Sequence, residues 1–97
     1  MARYTGSEGH RVCKDGRPFG FEPSLSLRNH SPTGFSWGYM GSGPSQLALA
    51  LLYDVTGNSE MSLSLYQAFK HRFVSRWSDG WTITSEAVRT WLSSMLN

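Results

Sequence analysis

The sequence predicts an α+β fold: a small antiparallel sheet, mostly N-terminal, packed against three helices in a single domain spanning residues 1–97. Three observations point there. Asp15-Gly16 lies between two short runs, residues 11–14 and 18–21, and Asp-Gly in that setting is a strong hairpin signal, usually a type I′ turn. Near residue 42 the chain changes from a region rich in Gly, Ser, Pro and aromatics to segments of helical periodicity. Finally, 97 residues is the length of one domain, enough to bury about 60–70% of the unfolded chain's surface.

Taken in order, Tyr4 sits on a short first strand and the Asp15-Gly16 hairpin supplies two more. Ser24-Leu25-Ser26-Leu27-Arg28 alternates polar and apolar, as a strand with one buried face does. Residues 29–43 form a loop long enough to be functional or to fold over the core. A first helix starts at Pro44, capped by Ser42 or Gly43, and is apolar nearly all round from Leu47 to Val55, so it is central; Gly57-Asn58 ends it. A second helix runs from about Ser59 to Trp77. Leu65, Phe69, Phe73 and Trp77 recur every four residues, with Tyr66 beside them and Gln67, Lys70, His71 and Ser75 opposite. Trp81-Thr82-Ile83 reads as a strand able to join the N-terminal sheet. A third helix follows, capped by Thr84 or Ser85, with Val88, Trp91, Leu92, Met95 and Leu96 as its apolar stripe.

Composition narrows the function. A net charge of +2 is too small for long-range attraction to nucleic acid. A single cysteine, Cys13, cannot close an internal disulfide, and the start of the chain lacks the apolar stretch of a secretory signal. The longest apolar run, residues 47–53, is far short of the roughly 20 residues needed to cross a bilayer. These features predict a cytoplasmic protein with no membrane partner.

Candidate chemistry is sparse. Gly41-Ser42-Gly43 ahead of a helix resembles an anion cradle, but the Lys and Ser or Thr of a phosphate loop are missing and Pro44 removes one N–H. The plainer reading is a tight turn that lets the helix pack closely. His10 and Cys13 are spaced like two metal ligands, yet no second close pair completes a site, so no metal and no cofactor are expected. His30, between Asn29 and Ser31-Pro32, reads as a loop anchor rather than a base. Cys13, His30 and Asp54 are types found in nucleophilic sites, but nothing in the sequence brings them together, and no nucleophile elbow is present. The carboxylates fall mostly at turns and helix ends. Two surfaces remain. Lys70, Arg72 and Arg76, with His71, make a basic cluster, Arg72 and Arg76 lying one turn apart; a solvated helix end is the plainer reading. Phe35, Trp37 and Tyr39 alternate with small residues in the loop, at least two of them expected in the core.

The stretch His30-Ser31-Pro32-Thr33-Gly34-Phe35-Ser36-Trp37-Gly38-Tyr39, followed by Gly41-Ser42-Gly43-Pro44-Ser45-Gln46-Leu47-Ala48-Leu49-Ala50-Leu51-Leu52, resembles a family of small uncharacterised proteins of bacteria, archaea, phages and plasmids, catalogued only as a domain of unknown function. Tyr66-Gln67-Ala68-Phe69-Lys70 and the segment from Trp81 to Leu92 fit the same pattern; Met40 stands where members often carry Gly. The resemblance carries no activity or site residues. It implies a mobile-element setting, in which small proteins often block host defence machinery, anti-CRISPR proteins being the best-known class; that step is an analogy of size and setting.

The expectation is therefore a non-enzymatic protein of a phage or mobile element that binds a host protein or complex in the host cytoplasm. Binding is assigned first to Lys70, Arg72 and Arg76, then to Trp37 and Tyr39, residue types enriched at interface hot spots. A nucleic-acid-binding accessory protein is the alternative. A small anion-binding or enzymatic domain using Gly41, Ser42, Gly43 and His30 is a second one. Oligomeric state stays open, since aromatic helix faces serve a dimer as well as a monomer core.

Overall fold

A computed structural model describes residues 1–96 and divides them into two compact units, one made of residues 1–19 with the chain from Asp79 onward, the other of Gly20–Ser78. The arrangement is α+β, with a four-stranded antiparallel sheet and four α-helices among the described residues.

The sheet belongs to the first unit. Its strands are β1 (Arg3–Ser7), β2 (Arg11–Lys14), β3 (Arg17–Pro18) and β4 (Trp81–Thr84), in the order β3-β2-β1-β4. The Asp15-Gly16 turn forms as the sequence predicts, with φ of 51° and 80° at its two residues, the left-handed pair that a type I′ turn requires. Asp15 also clamps the first strand: its N–H donates to the Arg3 carbonyl (2.8 Å) and its Oδ1 accepts from the Arg3 N–H (2.9 Å). The strand predicted at residues 81–83 joins the sheet beside β1, pairing Tyr4 with Ile83 and Gly6 with Trp81. On the other side Gly6 faces Val12. Tyr4, Gly6, Val12, Trp81 and Ile83 are buried, with the partly or fully exposed Thr5 and Thr82 alternating between them, so the period of two is kept across the sheet. Phe19 meets Tyr4 edge to face at 5.5 Å.

Gly6 has a particular reason to lack a side chain. The Trp81 indole lies over its α-carbon, and a Cβ there would come within 2.0 Å of the indole Nε1. β4 leads directly into α4 (Ser85–Leu96), where Thr84 Oγ1 caps the Ala87 N–H (3.1 Å). Val88 and Leu92 are buried, but Met95 and Leu96, expected to continue the stripe, are exposed: only the first two turns of α4 have a core to meet.

The second unit holds α1 (Glu22–Leu25), α2 (Ser42–Thr56), α3 (Ser59–Arg72) and a 3₁₀ turn at Val74–Arg76. The strand expected at residues 24–28 is instead α1 and the turn that follows it. Pro23 preorganises the first turn, and Ser24, far from facing solvent, is buried with its hydroxyl donating to the Phe21 carbonyl (2.8 Å). Five residues of alternation are too few to outweigh those local bonds. α2 is apolar and buried almost all round, as predicted, and packs chiefly on α3. It begins two residues before Pro44, with Gly41 as its N-cap, and ends on Gly57 in the left-handed conformation (φ 64°), whose N–H reaches the Tyr53 carbonyl. Asn58 then caps α3 by accepting from the Met61 N–H.

α3 ends at Arg72, short of the expected Trp77. Phe73 leaves helical geometry (φ −120°, ψ −67°) and the 3₁₀ turn follows. The fourfold recurrence nonetheless marks a real cluster, because the Phe69 ring lies 4.9 Å from Phe73 and 6.4 Å from Trp77. The aromatic packing outlasts the helix that began it.

Replacing Gly6 by Ala should force the indole from its seat and destabilise the fold by about 1–3 kcal/mol, as overpacking does. Thermal melts test this, since each kcal/mol lowers the midpoint of a domain this size by about 4–8 °C. An unchanged midpoint would show that Trp81 moves aside freely.

Candidate functional site

The polar chemistry of Gly20–Ser78 is built around Gln46. Its side chain is fully buried on α2, where an unsatisfied carboxamide would be costly, and every polar atom of it is used. Oε1 accepts from the backbone N–H groups of His30 (2.7 Å) and Ser31 (3.1 Å). Nε2 donates to Ser24 Oγ (2.8 Å) and to the Arg28 carbonyl (3.1 Å). One side chain thus ties the whole passage from α1 into the loop onto the central helix.

Beside it, the N-terminal turn of α2 meets α3. Ser45 Oγ donates to the Gly41 carbonyl (2.9 Å) and accepts from Lys70 Nζ (3.0 Å). Lys70 is only 9% exposed. The polar outer face predicted for it is therefore wrong: Lys70 follows Tyr66 by one turn, on the inner side of α3, and its long stem carries the charge along that side. Tyr66, also buried, meets His30 Nε2 at 2.6 Å. The His30 pKa is lowered from 6.5, first by partial burial and then by the charges of Arg28 and Lys70. The ring is accordingly neutral at neutral pH, and its Nε2 shares a hydrogen bond with the Tyr66 hydroxyl. His30 is the loop anchor that its sequence context predicts.

The residues assigned to binding divide. Lys70 and Trp37 are buried, so neither offers a surface; at 6% exposed, Trp37 joins Phe35 in the core. Tyr39 is 52% exposed and Met40 beside it 56%. Arg72 and Arg76 are exposed, but they do not share one α-helical face, since α3 stops at Arg72. The Arg72 guanidinium instead lies 4.8 Å over the Phe73 ring. What the sequence does not reveal is that these two surfaces adjoin. The Gly38 N–H donates to the Val74 carbonyl (3.0 Å), and a Cβ on Gly38 would come 3.0 Å from the Trp77 carbonyl. The tip of the aromatic loop is thus seated on the turn between the two arginines.

The helix start at Gly41, Ser42 and Gly43 is closely covered. The Tyr39 ring lies against the Gly41 α-carbon, where a Cβ would come within 2.3 Å of it, and Gly43 is held against Ser36. That packing explains both glycines. Of the three residues weighed as a nucleophilic set, Cys13 lies on β2, His30 in the loop after α1 and Asp54 at the exposed C-terminal end of α2. Among the described residues, no three His, Cys, Asp or Glu side chains are grouped to hold a metal ion. Nor, among these residues, is any helix long and apolar enough to cross a membrane.

The model of a family of unknown function (DUF6166) matches residues 4–94, nearly the whole chain. The protein belongs to that family. No curated protein and no solved structure matches it. In this DUF6166 chain the stretch from His30 to Leu52 holds the Gln46 hub, the His30 anchor and the loop tip together, so its length reflects one connected structure.

Gln46→Leu should leave the His30 and Ser31 amides, Ser24 and the Arg28 carbonyl short of partners, destabilising by about 2–4 kcal/mol in urea unfolding. Amide exchange at His30 and Ser31 should quicken with it; unchanged exchange there would refute the hub. For His30, the unfolded chain takes up a proton first as pH falls, because the folded pKa is the lower one. Stability from the neutral ring is full above 6.5 and is lost as pH drops below that value towards the folded pKa. The difference in urea midpoint between wild type and His30→Gln should therefore shrink on acidification, and a difference constant with pH would contradict the shift.

Proposed function

We propose that this chain is a non-enzymatic protein-binding module of a phage or other mobile element, directed at a host protein complex, with a CRISPR-type defence effector as the foremost candidate. The observation that carries the binding part is the bond between Gly38 and Val74, which sets exposed Tyr39 and Met40 beside exposed Arg72 and Arg76. Tyr, Met and Arg are the types enriched at interfaces, and Tyr and Arg dominate hot spots. No Asp or Glu occurs between Glu60 and Asp79, so the patch is cationic and suits an acidic protein surface. Arg72 is already ordered on Phe73, which lowers the entropy lost on docking. The defence setting rests on size and on the family resemblance, and the cytoplasm of a host cell is its natural location.

The nucleic-acid reading draws on the same residues, with Tyr39 in place of the buried Trp37 as the stacking ring. The two separate on one experiment. A tagged chain is used to capture partners from lysate of a defence-active host, with and without nuclease. A stoichiometric protein that survives nuclease is expected, and Arg72→Glu with Arg76→Glu should weaken its binding about 30-fold or more, a hot-spot-sized loss. Tyr39→Ala should cost about tenfold. These exposed positions should leave stability within about 0.5 kcal/mol. Capture that vanishes with nuclease, with affinity falling steeply in salt, would replace the proposal by the nucleic-acid reading.

A further inference from the structure

An antiparallel strand bonds its neighbour through every second residue. On β4 those residues are Trp81 and Ile83, which pair with Gly6 and Tyr4, and Ser85 continues the series by donating its N–H to the Ala2 carbonyl (2.8 Å). Thr82 therefore turns its N–H and its carbonyl away from β1, and Thr84 turns its N–H the same way. β4 is the last strand of the sheet on that side, and Thr82 is exposed. The opposite edge is guarded. There the Phe19 N–H donates to the Val12 carbonyl and Arg17 pairs with Lys14, so the outward position between them is Pro18, which has no N–H to offer, and exposed Arg17 adds a charge. Proline and charge are the usual protections of an open edge. β4, Trp81-Thr82-Ile83-Thr84, has neither, and its β-branched residues favour pairing. A second observation falls on the same stretch of chain. α4 leaves β4 without a loop, and its apolar stripe outruns the core, with Met95 and Leu96 exposed.

We propose that two copies of this chain join through the outer edge of β4, antiparallel about a two-fold axis, merging their two sheets into one. A joint of this kind meets itself with the same groups, so it requires a strand complementary to its own copy. Thr82 meets that requirement: across the axis its N–H faces a carbonyl and its carbonyl an N–H. β4 carries no charge to repel its copy, and opposed threonines are a favourable cross-strand pair. The axis stands normal to the merged sheet, which keeps both α4 helices on one side of it. Met95 and Leu96 supply apolar area that a few strand bonds alone lack. Nothing here rests on Tyr39, Met40, Arg72 or Arg76, so this joint and the protein-binding face can fail separately.

The test is sedimentation equilibrium of the whole chain from about 10 μM to about 1 mM, where a monomer–dimer equilibrium is expected. Amide exchange reports on the edge itself. The Thr82 amide should slow as concentration rises, while the Ile83 amide, bonded to β1 within one copy, should be slow throughout. Thr82→Pro removes an N–H that bonds nothing inside one copy, and should weaken dimerisation about tenfold or more. Thr82→Lys keeps the backbone donor and sets like charges face to face, with the same expected loss. Met95→Glu should weaken the dimer several-fold. A chain that stays monomeric over the whole range, or a dimer unaltered by Thr82→Lys with Thr82 exchange independent of concentration, overturns the proposal. So does a monomer whose Thr82 amide slows only on binding a protein captured from lysate, because the edge then belongs to a foreign strand.

Discussion

A helix buried almost all round can carry a polar side chain at a buried position only if the surrounding chain supplies every partner for it, and Gln46 is where α2 meets that constraint. Its carboxamide has two donors and two acceptor positions, and the passage from Ser24 to Ser31 answers all four. The irregular loop gains an ordered path because its backbone groups are spent on a fixed side chain instead of on water. His30 is then held where it meets Tyr66, and Tyr66 and Lys70 stand one turn apart on α3, so the loop, α2 and α3 share one polar seam inside an otherwise apolar packing. Networks of this kind are stable when complete and damaging when broken, which makes the seam a determinant of specificity as much as of stability.

The regular parts of this fold were readable from local chemistry. Asp15-Gly16 required left-handed backbone and found it; Gly57 terminated α2; the unbroken apolar run of 47–52 meant burial on all sides. Errors came where a pattern was short or where packing and helix parted company. Ser24 to Arg28 alternated for five residues only, and Pro23 with two serine hydroxyls bonded to nearby carbonyls turned the backbone into a helical turn. Phe69, Phe73 and Trp77 kept a helical spacing that their rings needed, while the backbone had already left the helix at Phe73.

The site was less legible than the fold, for a physical reason. Lysine is normally solvated, so placing Lys70 on the outer face followed from its type, although its spacing from Tyr66 pointed inward. Gln46 among leucines and alanines was the available sign of a buried network, and nothing local told which groups it would bind. The seating of the Gly38 loop tip on Val74 joins segments 36 residues apart, a contact that no periodicity encodes.

The position of β1 in the sheet governs when the sheet can exist. It lies between β2, which follows at once, and β4, whose residues come about eighty positions later. During synthesis the N-terminal hairpin emerges with one long edge of β1 unmatched, and the whole of Gly20–Ser78 is made before the strand that covers that edge. Open strand edges invite pairing with other chains. Asp15, by engaging both backbone groups of Arg3, holds the outer end of that strand while it waits, and the left-handed turn that carries it needs no distant partner to form.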